Sequence, residues 1–154
     1  MFKEMRRKKK QMDEARARTL LETGEYGILA TQGEEGYPYA LPLNYTVIGD
    51  ALYFHCAPTG HKLDNIRHNE RVSFCVVSQA EILAKEFSTR FKSVVVFGRA
   101  VEVKGEEKEA ALLALIHRFS PEFLKEGKAY IKKAGAKTCV VKIQMESITG
   151  KSGE

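Results

Sequence analysis

The sequence predicts a mainly β protein, a six-stranded antiparallel barrel, closed or nearly closed, with helices flanking it. Three observations lead there. Six runs of strand-forming residues of mixed length recur along the 154 residues. Short turns separate several of them, and helical periodicity is confined mainly to the beginning and the later part of the chain. A single domain over residues 1–154 is long enough to bury a sizeable core, with roughly two-thirds of the unfolded surface removed on folding.

The elements follow in order. Residues 1–10 form a basic arm that contains Arg6-Arg7-Lys8-Lys9-Lys10. Over 12–22, Met12, Ala15, Leu20 and Leu21 fit a helix, with Asp13 placed to cap it and Gly24 to stop it. Residues 26–31 and 37–48 are rich in strand formers and flank Gln32-Gly33-Glu34-Glu35-Gly36, so they read as a hairpin. Gly49-Asp50 then reverses the chain into a strand over 51–57, which makes a three-stranded meander. A short helix around 63–68 precedes strands at 72–78 and 93–103, joined by a connector over 79–92. Leu112, Leu113, Ile116 and Phe119 set a helical period for 106–119. Ser120-Pro121 introduces another helix from 122 to about 133, and residues 139–143 supply the last strand.

Composition narrows the function classes. The net charge of +5 is concentrated in the five consecutive basic residues of the arm, without aromatic interleaving or a reader motif, which argues against nucleic-acid binding. No apolar run nears the ~20 residues that span a bilayer, and the basic start lacks the apolar segment of a secretory signal. The expectation is a soluble cytoplasmic protein with no membrane partner. Cys56, Cys75 and Cys139 are odd in number, lack C-x-x-C spacing and sit in apolar stretches, so they read as small core residues rather than a disulfide framework or metal ligands.

The stretch from Leu52 to Ile66 carries the most chemistry. It reads as a strand, a Gly-containing turn and a helix start, an order that makes an anion site because N–H groups at a helix N-terminus are unpaired and sit at the positive end of the dipole. Gly60, His61 and Lys62 are placed to cradle a phosphate, and the apolar, aromatic strand ahead of them suits a flat cofactor with a phosphate tail, such as a phosphorylated flavin. Pro42, which cannot donate to a ladder, marks an edge or bulge where backbone groups become free for a ligand, and Asn44 offers a donor and an acceptor on the same face. His55, in mid-strand, is able as a neutral imidazole to hydrogen-bond a substrate or to deliver a proton near neutral pH. Taken alone, each has a plainer reading: an ordinary edge strand, a satisfied structural histidine, an exposed turn residue at His61.

Together these segments resemble the flavin-mononucleotide-binding split-barrel superfamily and, within it, the nitroimidazole-resistance (Nim-type) proteins related to pyridoxamine 5′-phosphate oxidase. The similarity runs from about Met5 to Lys151. It rests on Met5-Arg6-Arg7-Lys8, Leu41-Pro42-Leu43-Asn44-Tyr45, Leu52-Tyr53-Phe54-His55-Cys56-Ala57, Gly60-His61-Lys62-Leu63, Asn69-Glu70-Arg71-Val72-Ser73-Phe74, Ser93-Val94-Val95-Val96-Phe97-Gly98-Arg99-Ala100 and Ile148-Thr149-Gly150-Lys151.

The resemblance implies a split β-barrel that binds FMN and forms a homodimer, with flavin at each subunit interface. Pro42, Leu43 and Asn44 match the strand along the isoalloxazine, and Cys56 and Ala57 match further cofactor-binding positions. His61 and Lys62 fall where the related oxidases have an Arg-Lys pair on the phosphate; His61 lacks the fixed charge and donor fork of arginine. Ser93 falls where those oxidases place a Gln beside the flavin, with Val94 following it. His55 matches the histidine that Nim-type proteins place at the active site. The chain has no Trp, whereas the pyridoxamine phosphate oxidases carry a C-terminal Trp-Arg-Leu-type segment, which disfavours that reaction. The implied activity is an FMN-dependent oxidoreductase that reduces a small, aromatic or nitroaromatic acceptor with electrons from a donor such as a nicotinamide. The alternatives are a flavin-binding carrier or sensor without a reaction of its own, a pyridoxamine phosphate oxidase-like enzyme, and a heme-binding relative using His55 or His61 on iron.

Overall fold

The computed structural model describes residues 2–153, and within them seven strands make one sheet in the order β2-β1-β5-β6-β7-β4-β3. Helix α1 (Glu14–Thr23) comes first. Asp13 caps it by accepting the Arg16 N–H at 2.8 Å, its Ala17 and Leu21 are fully buried, and Gly24 closes it with an N–H to the Leu20 carbonyl. Strand β1 (Gly27–Gln32) then pairs with β2 (Pro38–Leu43) as the expected hairpin, and β3 (Thr46–Ile48) turns through Gly49-Asp50 into β4 (Ala51–Cys56). Gly49 takes φ +60°, the conformation that a two-residue hairpin loop demands.

The expected strand over 37–48 is in fact two strands, which makes seven rather than six, and the expected meander does not form. β2 and β3 occupy opposite edges of the sheet. Only Asn44 and Tyr45 separate Leu43 from Thr46, so the two edges stand within about 11 Å of one another. In a flat seven-stranded sheet they would lie about 29 Å apart. The sheet must therefore curl into a barrel, and because no ladder joins β2 to β3 among the described residues, the barrel stays split.

Tyr45 fastens that crossing. It is fully buried, its hydroxyl donates to the Leu21 carbonyl, and its ring meets Phe74 edge-on at 4.9 Å. Arg118, near the end of α3 (Gly105–Phe119), lies over the same ring and donates to the Tyr45 carbonyl at 2.8 Å and to the Gly24 carbonyl.

Two further boundaries differ from expectation. The supposed connector over 79–92 is a ribbon, because β5 (Arg71–Leu83) and β6 (Ser88–Val103) stay paired past a register shift between Ser78 and Glu81 and turn only at 84–87. β7 runs over Cys139–Gly153, three times the expected length, and pairs with both β6 and β4. The β6–β7 register shifts between Phe97 and Gly98, where Glu146 is an extra residue on β7, and a Cβ on Gly98 would sit 2.3 Å from the Gln144 carbonyl oxygen, so only glycine fits.

The interior is filled by Leu52, Phe54, Phe74, Val94, Val96 and Val141, while Ala51, Tyr53, Val103 and Val140 face outward beneath Ala111 and Leu112 of α3. Helix α2 (His61–His68) buries Leu63 and Ile66. Its Asn65, 2% exposed, donates from Nδ2 to Thr31 Oγ1 of β1 at 3.0 Å. Asn65→Ala should destabilise the protein by about 1–3 kcal/mol, because it strands a buried hydroxyl, and urea unfolding measures the loss. Helix α4 (Leu124–Ala134) lies against α3. Among the described residues no helix is long and apolar enough to cross a membrane.

Candidate functional site

β4 ends at Cys56, residues 57–60 turn, and α2 begins at His61. Gly60 is the N-cap, with φ +149° and no side-chain cap hydrogen bond, so side chains leave the first N–H groups of α2 free. Open space lies over Gly60, with no atom within 4 Å of a Cβ placed there. Lys62 is half-buried on the first turn. The His61 ring stacks on Tyr39 of β2 with centroids 3.9 Å apart, which ties the edge strand to the helix start. A cavity of about 550 Å³ opens here, lined by Gly60, His61, Asp64, Asn65 and His68, and also by Glu34 and Glu35 of the β1–β2 turn. The helix start therefore has a cationic flank at Lys62 and an acidic flank at Glu34, Glu35 and Asp64.

Across the turn lies a second cavity of about 310 Å³ between the end of β4 and the α3–α4 pair. His55 follows Ala51 and Tyr53 on the face of β4 that looks toward α3, so alternation delivers its ring to this space. Leu112, Leu115, Ile116, Tyr130 and Ile131 make the walls, and Lys137 brings a cation to the lining. Burial lowers the His55 pKa below its ordinary value, so the imidazole is neutral at neutral pH. Ala57 lines this cavity and Gly60 the other, so the 57–60 turn borders both.

Pro42, Leu43 and Asn44 lie at the far end of β2, which is an edge strand paired only with β1. The Asn44 amide donates one N–H to the Glu25 carbonyl at 2.8 Å, which fixes the side chain and leaves its oxygen and second N–H to offer a ligand. Pro42 is opposite Ile28, which is opposite Cys75, which is opposite Val95, so one row crosses the outer sheet face. Along that face Ile28, Val77 and Phe97 are exposed. Ser93 is half-buried opposite Val77, whereas the Val94 side chain is turned into the core and fully buried. β1 and β5 stand between β2 and β6, so Ser93 is three strands, about 14 Å, from the Pro42 edge within one chain.

The structure thus gathers His55, Cys56, Ala57, Gly60, His61 and Lys62 around one turn, with Pro42, Leu43 and Asn44 along the adjoining edge and Ser93 apart. No local signal in the sequence marks Tyr39, Tyr130 or Lys137 as site residues. Tyr39 carries the alternation signal of a strand and no sign of its stacking partner. Tyr130 and Lys137 reach the His55 cavity only because α4 folds back on α3.

The sequence pattern of the pyridoxamine 5′-phosphate oxidase family matches residues 13–152. No curated protein matches the chain. Among solved structures, a candidate 5-nitroimidazole antibiotic resistance protein from Bacteroides thetaiotaomicron is 23% identical, with 92% of this chain and 85% of that chain covered and a TM-score of 0.78. An FAD-binding protein from Mesorhizobium loti is 23% identical over 94% of this chain and 97% of its own, with a TM-score of 0.66. The FAD and heme binding protein from Mycobacterium smegmatis is 24% identical over 94% and 74%, with a TM-score of 0.82. These likenesses establish the split-barrel fold. With the family pattern spanning nearly all of the sheet and the β4–α2 turn, the chain belongs to the pyridoxamine 5′-phosphate oxidase family.

Proposed function

We propose that this protein binds FMN and reduces a small aromatic or nitroaromatic acceptor held in the His55 cavity. The observation that carries the reading is the β4–α2 turn, where a helix N-terminus without a side-chain cap meets an apolar, histidine-bearing cavity. The residues fit a flavin phosphate: the N–H groups after Gly60 and the Lys62 ammonium supply donors and charge, and open space above Gly60 admits the ligand. Glu34, Glu35 and Asp64 favour a mononucleotide, since a second phosphate group extending past the helix start would meet three carboxylates. When bound, the flavin supplies the redox chemistry. The chain's own residues orient and protonate: His55 hydrogen-bonds the acceptor, Tyr130 and Ile131 pack on its apolar face, and Lys137 favours an electron-rich substituent.

The same reading includes a homodimer and a nicotinamide electron donor. Self-association would cover Ile28, Val77 and Phe97 on the outer face and would bring Ser93 of a second copy toward the β2 edge, a distance that one chain alone leaves open. A flavin carrier without a reaction of its own would give only slow, unselective electron leakage, so steady-state turnover with a nicotinamide donor and a panel of acceptors separates the two.

The phosphate assignment is tested by flavin titration. His61→Ala with Lys62→Ala should weaken FMN binding by about tenfold or more, the loss expected when a charge-assisted contact of ~1.5–3 kcal/mol is removed. Unchanged affinity would contradict the cradle.

A further inference from the structure

We propose that Cys56 and Cys139 are a redox-active pair that closes to a disulfide under hydroperoxide. The last residue of β4 and the first of β7 face each other directly, on the last rung of that ladder. Both side chains turn into the same interior cluster, Cys139 as a buried member and Cys56 packed against it, and the negative charge of Glu102 on β6 bears on the Cys139 thiol. Eighty-two residues separate the two cysteines, and only the β4–β7 register brings them together.

The spacing suits a bridge of a particular kind. The Met145 N–H donates to the Asp50 carbonyl one rung beyond the ladder, and counting the alternation from there makes Cys56 and Cys139 a hydrogen-bonded pair. Opposed Cα atoms at such a pair lie about 5.5 Å apart, within the range a disulfide spans. Cβ atoms at hydrogen-bonded pairs generally stand farther apart than in a relaxed bridge, so a bridge at such a pair is strained and readily reduced again. Labile bridges of this sort are the regulatory ones.

The surroundings assign the roles. Cys139 is 2% exposed, whereas Cys56 is half-buried and lines the His55 cavity, which gives a peroxide a route to it. Burial raises the Cys56 thiol, but Lys62 and Arg67 of α2 favour its thiolate, while burial and its acidic neighbours push Cys139 up to about 12. Cys56 is therefore the sulfur that ionises first. Its thiolate attacks the terminal peroxide oxygen, the O–O bond breaks, and the other oxygen leaves as alkoxide, or as hydroxide from hydrogen peroxide, taking up the proton the thiol gave up to become the alcohol or water. Cys56 is then a sulfenic acid, oxidised by two electrons. Cys139 attacks that sulfur, its proton leaves with the departing hydroxide as water, and the S–S bond forms as the S–O bond breaks. Two thiols and one hydroperoxide thus give one disulfide, one water and the alcohol, or a second water from hydrogen peroxide itself.

The full-length protein is treated with hydrogen peroxide, denatured in N-ethylmaleimide, and read by intact mass and peptide mapping. The expected product is lighter by two hydrogens, carries label at Cys75 alone, contains a Cys56–Cys139 cross-linked peptide and regains all three labels after dithiothreitol. Cys75→Ser should give the same cross-link, and Cys139→Ser should abolish it and leave Cys56 as sulfinic acid. Label retained at all three cysteines after peroxide, or a link through Cys75 or between chains, would overturn the pairing.

Discussion

His55→Ala is expected to keep FMN and to lose turnover with a nitroaromatic acceptor by about 10²–10⁴-fold, the range for removing a positioned proton donor. Flavin retention is spared because the phosphate cradle is on α2 and the far side of the turn, whereas His55 faces the α3–α4 cavity. The pH profile adds a sign. Burial lowers the His55 pKa, so the imidazolium that donates a proton is scarce at neutral pH and accumulates as pH falls toward that lowered value. Wild-type turnover should therefore rise on acidification, and the alanine variant should lose that rise. Steady-state assays with a nicotinamide donor across pH 5–8 make the check, and equal rates in the two proteins would remove His55 from the chemistry.

Tyr45→Ala should cost about 3–5 kcal/mol of stability, the range for deleting a buried aromatic side chain. The reason is topological as well as local. Tyr45 lies in the two-residue crossing that holds the sheet's edges together, with Phe74 against its ring edge and Arg118 over its face. At this chain length the loss converts to a fall in Tm of roughly 6–20 °C. Tyr45→Phe keeps the ring and strands only the Leu21 carbonyl, so it should cost about 1–3 kcal/mol. Calorimetry separates the two, and similar midpoints for both variants would place the anchor in the hydroxyl rather than the ring.

Local signals carried much of this fold. Asp13 and Gly24 bound α1 as expected, Gly49-Asp50 makes the tight hairpin, and Pro42 does sit on an edge strand. What local pattern cannot encode is partner choice. Residues 37–48 read as one strand because their propensity is continuous, and only the curl of the whole sheet splits them at Asn44 and Tyr45. The ribbon over 79–92 was hidden by charged and small residues that suit an exposed hairpin as well as a loop. At the site, alternation sends the Ser93 side chain outward and that of Val94 inward, so of the two only Ser93 offers a side chain to the outer face. The Cys56–Cys139 register and the Asn65–Thr31 hydrogen bond join residues far apart in sequence, and no spacing announces them.

Flavin binding is the claim on which the functional account stands. The visible absorbance of freshly purified protein, with the released chromophore identified after heat denaturation, tests it most directly. The account predicts a yellow protein that releases FMN at close to one per chain. A colourless protein that takes up no added FMN would contradict it, and a Soret band in place of flavin absorbance would reassign the site to heme.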